Sequence, residues 1–365
     1  MPREWTLPPH KERYAISASV SGEMPSWSLE WLGVPAVRAD GSAGLNAKTK
    51  GKGVKVGVLD TGIDHTHPDF EGVIAQKLNF TDSPDTMDRA GHGTHVAGTI
   101  AAQENGSGSI GIAPECELLI YKVLGDDGSG DDQWVVNGIK RAREDKCDVI
   151  TMSLGSRHSS SMMHDALLKA IADGILITLA AGNEGKSLDA AGNIIPTVDY
   201  PAAWVHAGIP VGSIDHRGAV SDFSARGPQV LTVAPGSGIT SSWPGNKYAV
   251  LDGTSMATPH VAALTALSIA WRRDQNLSPL DYQNKLELAL KATSRRPQND
   301  IVPPSWNWGY GVVDGRGLLG HDAVQVVGSP ENPGGAKVIS APFGEYLGHN
   351  WEIQFVGTPI TSTGE

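Results

Sequence analysis

The strongest constraint on this chain is a rhythm that starts near residue 54. Short apolar runs, Val54 to Leu59, Glu117 to Val123, Asp148 to Leu154 and Ile175 to Ala181, read as strands buried on both faces. Between them, Trp134 to Lys146 and Met162 to Asp173 carry the spacing of amphipathic helices. Shorter β-like pieces at Ile209 to Val211 and Val230 to Ala234 and helices at Thr254 to Trp271 and Pro279 to Thr293 complete the series. Strands that are apolar on both sides need cover on both sides, and the intervening helices supply it. The rhythm therefore predicts an α/β fold in three layers, with a mainly parallel central sheet and helices on both faces. In such sheets functional groups gather at the carboxyl ends of the strands.

Residues of catalytic type stand at those ends. Asp60-Thr61-Gly62 closes the first strand, and Gly182-Asn183 follows another. His92 lies between glycines at the start of a small-residue helix, and Ser255 lies in Gly253-Thr254-Ser255-Met256 just before the long apolar run to Trp271. At a helix start the first backbone N–H groups lack intrahelical partners, and the macrodipole favours developing negative charge. That position suits a nucleophile, and it equally suits an ordinary N-cap serine. A hydroxyl needs a base to take its proton, and the base needs an orienting partner. Imidazole and a buried carboxylate fill those roles. Asp60, His92 and Ser255 occur in the order Asp, His, Ser; His95, on the same helix, is an alternative base.

Composition narrows the class. At 365 residues, with 40% hydrophobic and 19% charged side chains, the chain has the make-up of a globular protein. Its net charge of −11 disfavours nucleic acid and anionic membrane as partners. No apolar run reaches the roughly 18 residues that a membrane helix needs, and Met1 to Tyr14 lacks a signal-peptide core, so a cytoplasmic location is expected. Cys116 and Cys147 have no metal-type spacing and are expected as buried thiols. Residues 1 to 49 show no sustained period and form an N-terminal extension; 50 to 319 form the main domain. Residues 320 to 365, rich in Gly, Pro and Ser, form a tail, expected as a hairpin at most.

Three blocks, Asp60-Thr61-Gly62-Ile63-Asp64, His92-Gly93-Thr94-His95-Val96-Ala97-Gly98 and Gly253-Thr254-Ser255-Met256-Ala257-Thr258-Pro259-His260, resemble the active-site signatures of subtilisin-like serine proteases. Their order and separations match as well, and the likeness runs from about residue 50 to 318. It implies a serine endopeptidase in which Ser255 attacks the peptide carbonyl, His92 serves as base and then acid, and Asp60 orients it. Asn183 would complete the oxyanion hole. Peptide or protein substrates would lie between two segments similar to the family's binding strands, Gly128-Ser129-Gly130 and Ser153-Leu154-Gly155, as an added β-strand.

Further expectations rest on the same resemblance. Ala180, Gly182 and Asp199 would line the primary pocket, with an insertion from Lys186 to Pro196 beside it. Glu184, Asp199 and Asp132 would favour Lys or Arg near the cleavage point, against the plainer reading of solvated loop acids. A structural calcium ion would take Asp69, Asn105 and carbonyls around Gln103, Ser107 and Ser109, and Asp82, Asp85 and Asp88 form a second candidate cluster. The missing export signal and short extension are similar to the intracellular subtilisins, whose extension blocks the active site. Leu7-Pro8-Pro9 matches that blocking segment only in part, because the aromatic after the proline is absent. A homodimer is the family's expectation.

Two other classes compete with this reading. A catalytically silent binding or scaffold protein on the same fold is opposed by the intact Asp60, His92, Ser255 and Asn183. A nucleotide-binding enzyme is opposed by the turn after the first strand, which has neither glycine-rich phosphate motif and carries a carboxylate.

Overall fold

The computed structural model describes residues 5–7, 11–17, 22–38, 49–277, 279–280, 283–296 and 304–320. The expected tail beyond Gly320, and Pro8 and Pro9 of the extension, lie outside the described residues. The N-terminal extension carries β1 (Trp5–Thr6), β2 (Lys11–Ser17), β3 (Glu23–Met24), α1 (Trp27–Trp31) and α2 (Val34–Arg38). Then follow β4 (Lys55–Asp60), β5 (Ile74–Asn79), α3 (His92–Ala101), β6 (Gly108–Ser109), β7 (Glu117–Lys122) and β8 (Ser129–Gly130). Next come α4 (Asp132–Glu144), β9 (Val149–Met152), α5 (Ser161–Ala172), β10 (Leu176–Ala180), β11 (Ser187–Leu188) and β12 (Ile194–Ile195). The remainder is β13 (Ile209–Ile214), β14 (Thr232–Pro235), β15 (Ile239–Trp243), β16 (Lys247–Asp252), α6 (Thr254–Asp274), α7 (Gln283–Thr293) and α8 (Gly315–Gly320).

Seven of the described strands make one parallel sheet in the order β14-β13-β10-β9-β4-β7-β5. The chain starts near the middle at β4, builds outward on one side through β5 and β7, then crosses to β9 and builds the other side. The reversal falls between β4 and β9, where side chains beyond the strand ends meet in one crevice. Asp60 ends β4, and Ser153 follows β9.

Alternation along the strands divides the interior in two. Val56, Val58, Leu118 and Ile120 point to one face, where they join Val96 and Ile100 of α3 and the apolar residues of α6. Leu59, Leu119, Tyr121, Ile150 and Met152 point to the other, where Val135 and Ile139 of α4 and Met163 and Leu167 of α5 cover them. From Thr254 to Trp271 every residue of α6 is buried. A helix enclosed on all sides has to be apolar or small all round, and that is why its pattern reads as a run and not a stripe.

The extension is less irregular than its sequence suggests. Its strands attach to existing edges through backbone pairing: β1 antiparallel to β8, β2 antiparallel to β16, and β3 parallel to β6. Such strands need no alternation of their own, because the partner edge supplies the hydrogen bonds. Leu29, Leu32, Val34 and Val37 then anchor the two short helices in the first core. The insertion at 186–196 forms the small hairpin β11–β12. Cys116 and Cys147 are free and buried, and burial pushes both thiols up to about 12.

Candidate active site

His92 opens α3, and its Nδ1 lies 2.8 Å from Oδ1 of Asp60 at the end of β4. The same oxygen accepts the N–H of Thr61 at 2.7 Å. This approach depends on Gly93, where a Cβ would fall 2.3 Å from the Gly62 carbonyl oxygen and 3.2 Å from Asp60 Cβ. The helix start is held by Asp88, one of the three acids of the second candidate calcium cluster. Asp88 is buried and accepts from Thr61 Oγ1, Gly91 N, Thr94 N and Thr94 Oγ1 at 2.7 to 2.8 Å. Burial raises its pKa despite those donors. Asp85, by contrast, is exposed and grips Arg89 with both oxygens at 2.9 Å. The expected cluster therefore does not form: Asp88 and Asp85 are each spent on other partners. Among the described residues no group of three or more His, Cys, Asp or Glu is disposed to hold a metal. His95, the alternative base, is fully buried and turned to the Ile239 and Ala249 carbonyls at 3.0 and 3.3 Å.

Ser255 is the second residue of α6 and is itself buried. Pro259, four residues on, has no N–H to give the Ser255 carbonyl. Ser153 Oγ takes that carbonyl instead at 2.8 Å, while Ser255 Oγ donates to the Ser153 carbonyl at 3.3 Å. A proline inside the helix thus fastens the nucleophile's turn to the end of β9. Asn183 stands opposite. Its Oδ1 accepts from Thr254 N at 2.8 Å and Thr254 Oγ1 at 2.9 Å, which fixes the amide's orientation. A Cβ on Gly253 would lie 3.3 Å from Asn183 Nδ2 and 3.6 Å from Ser255 N, so both donors border one small space that glycine leaves open.

The two expected binding segments hold a strand of the chain's own extension. Leu7 N donates to the Gly128 carbonyl at 3.1 Å, Thr6 and Gly155 exchange both backbone bonds at 3.2 Å, and Trp5 pairs with Gly130. Ser129 pairs with Thr6, and Leu154 is buried beneath. Asp132 Oδ1 accepts the indole N–H of Trp5, and its Oδ2 accepts the hydroxyl of Ser160.

A second acidic site lies beyond Ala180 at the end of β10. A Cβ on Gly182 would meet Oδ2 of Asp199 and Oε2 of Glu184, each at 2.7 Å, so the two carboxyls converge on the backbone there. Gly155 walls the other side, with a Cβ position 3.3 Å from Asp199 Cβ. Burial, reinforced by the Glu184 carboxylate, pushes Asp199 up to about 7, against the pull of Arg157, whose Nε is 3.2 Å from Oδ1.

Around Asp69 the partners are hydroxyls. This buried carboxylate accepts from Ser109 Oγ at 2.8 Å, Ser242 Oγ at 2.7 Å and Tyr248 Oη at 3.1 Å. Gln103 N donates to its backbone carbonyl at 2.8 Å. Asn105 Oδ1 holds Ser107 N at 3.1 Å, and Gly106 N donates to Glu23 Oε1 at 2.9 Å. Hard oxygen atoms around a buried carboxylate suit calcium, and Glu23 of the extension adds an acid beside this loop.

Residues 51–312 match the Subtilase family. The chain belongs to that family. This subtilase is 48% identical over 225 residues to "Intracellular serine protease" of Paenibacillus polymyxa, covering 60% of this chain and 68% of the relative. It is 45% identical over 243 residues to "Major intracellular serine protease" of Bacillus subtilis (strain 168), covering 65% and 73%. With "Subtilisin DY" of Bacillus licheniformis it shares 40% over 254 residues, or 70% and 89%. The subtilase is a subtilisin-like serine endopeptidase, and peptides or proteins are its substrates. Among its described residues no helix is long and apolar enough to cross a membrane.

Four residues that matter in this geometry carried no signal in the sequence. Trp5 precedes the segment singled out in the extension, Ser160 reads as an ordinary N-cap, Arg157 as a loop cation, and Lys122 as the end of a strand. Lys122 is fully buried and donates from Nζ to the Thr61 carbonyl at 2.5 Å. Only the spacing of Asp88 from Gly91 and Thr94, an acid just before a helix start, was available as a hint.

Proposed function

We propose that this endopeptidase works through Ser255, His92 and Asp60, with Asn183 and the Ser255 N–H receiving the oxyanion. The observation that carries the reading is the 2.8 Å contact between His92 Nδ1 and Asp60. It leaves Nε2 as the nitrogen that takes the Ser255 proton and later returns it to the leaving amine. Ser255 Oγ, now directed at the Ser153 carbonyl, turns toward His92 to react. As the carbonyl oxygen becomes negative it enters the space bordered by Asn183 Nδ2 and Ser255 N, where preorganised donors stabilise it most. A serine-directed fluorophosphonate should label the protein in a calcium-containing buffer after extension removal, and Ser255→Ala should abolish labelling. Retained labelling of the alanine variant would place the nucleophile elsewhere.

The extension is read as an inhibitory occupant of the substrate path. Its strand at Trp5 to Leu7 makes the pairings a substrate would make, and antiparallel register carries a bound chain two residues past Thr6 opposite Ser153. In the sequence Leu7 is followed by Pro8 and Pro9, and proline beside a scissile bond resists cleavage for want of an N–H and of backbone freedom. Removal of residues 1 to about 25 should raise specific activity, and equal activity with and without them would sink the idea.

At the primary pocket, Glu184 and Asp199 favour Lys or Arg, since a substrate cation there would relieve two close carboxyls. A structural calcium ion is assigned to Asp69 and the 103–109 loop, where it would cross-link the loop to the body of the domain. Chelation should then lower the melting temperature, and an unchanged transition would remove calcium. An intracellular location follows the two relatives whose names carry that word.

A further inference from the structure

The extension does more than cover the cleft, because its first aromatic residue reports what one pocket accepts. Trp5 is fully buried and belongs to the same apolar cluster as Leu124, Val135, Leu154 and Met163. An apolar floor would serve Leu or Phe equally well. What distinguishes this pocket is its rim, where half-buried Asp132 accepts the indole N–H with one oxygen and the hydroxyl of Ser160 with the other.

The rim is held in place by two helices. Asp131, before it, caps α4 by accepting Trp134 N at 2.9 Å, and Ser160 caps α5 by accepting Met163 N at 3.3 Å. The Asp132 carboxylate therefore sits at the first residue of α4, and Ser160 fixes its second oxygen. One oxygen is left to face the pocket, and it can only accept.

We infer that Asp132, oriented by Ser160, makes this pocket select a substrate side chain that is at once a large aromatic and a hydrogen-bond donor, tryptophan above all. The inference rests on the proposed reading that the extension marks the substrate path. In that register the selected residue pairs with Gly130, three positions before the residue opposite Ser153. Phenylalanine or leucine fills the floor and strands a half-buried carboxylate without its donor. A buried acceptor left unpaired costs more than the bond itself contributes. Arginine satisfies the carboxylate and cannot match a ring that fills the apolar floor.

The test is a competition among peptides on the full-length chain. They are identical except at that position, which carries Trp, benzothienylalanine, Phe, Leu, Arg or Gly. Benzothienylalanine keeps the ring shape and replaces the N–H with sulfur. Ratios of kcat/KM cancel any occupancy of the cleft by the extension. Trp should exceed benzothienylalanine about tenfold, the scale of one hydrogen bond to a charged group, and Asp132→Leu should bring the pair to near parity. Ser160→Ala should reduce the ratio less.

Trp and benzothienylalanine within twofold of each other, with both well ahead of Leu and Gly, would overturn the role of Asp132 and leave the substrate path intact. Equal turnover of all six peptides would overturn the path itself. Arg ahead of Trp would make the pocket a cation site. Should Asp132→Leu fail to fold, the isostere comparison on the unaltered protein still decides.

Discussion

The triad end and the acidic pocket each bury an aspartate almost completely, Asp60 at 1% exposure and Asp199 at 4%, and treat it in opposite ways. Asp60 receives a backbone N–H and the His92 ring, so its charge has donors in place. Asp199 faces a second carboxyl across Gly182, and Arg157, the cation beside it, is 57% exposed. In the proposed mechanism the first arrangement holds a charge beside the base. The second keeps a charge in deficit, and a buried carboxylate in deficit holds its proton until a cation arrives or the pH rises. Burial alone does not decide what a carboxylate does; its donors do.

The comparison can be broken at either end. The largest effect is expected at Asp60, where Asp60→Asn should keep the fold and lower kcat about 10⁴-fold, the scale of a misoriented triad histidine. A normal melting transition beside a loss of less than tenfold would remove Asp60 from the chemistry. Next, Asn183→Ala should lower kcat with KM little changed. The scale known for the corresponding donor of subtilisin, about 10² to 10³, is carried over here by family likeness. A loss appearing in KM alone would make Asn183 a binding residue.

A smaller effect at the pocket end sharpens the contrast. Asp199 is raised to about 7, so its charge is absent below that pH and present above it. The proposed preference for Lys or Arg over Leu at the pocket of Asp199 should therefore grow as pH rises through about 7, by about tenfold for one buried charge gained. Because ratios are compared at each pH, any pH dependence common to both substrates cancels. In Asp199→Asn the ratio should be low and flat, and a ratio that falls with pH would reverse the assignment. The smallest effect belongs to Arg157→Ala, which removes a largely exposed competitor for Asp199 and, well above pH 7 where Asp199 is charged, should raise turnover of Lys and Arg substrates about two- to threefold, given the weakness of exposed ion pairs.

Much of this protein was legible in its residues. The alternation of buried strands and amphipathic helices is a local pattern, and it names the three layers because each pattern needs one kind of neighbour. The catalytic candidates were legible for the same reason: Asp60, His92, Asn183 and Ser255 all sit at element ends that local sequence marks. The Subtilase match and the relatives' names then make the chain a serine endopeptidase. The extension was legible only as a segment without period, since strands that borrow a partner's edge leave no alternation to read. Asp85 and Asp88 looked alike in sequence, yet one grips an exposed arginine and the other supports a helix start. Asp132 looked like a charge waiting for a cation, and the tertiary structure gave it an indole and a hydroxyl.

Sequence by itself therefore determined the layers and the identity of the groups at the strand and helix ends. These follow from hydrophobic period and covalent order, which act over a few residues. Only the tertiary structure decided which donors each carboxylate meets, because those donors come from residues that fold from far along the chain. Trp5 reaches Asp132 across 127 positions and Ser153 reaches Ser255 across 102. No local rule encodes distances of that kind; the packing of α6 and the pairing of β1 create them.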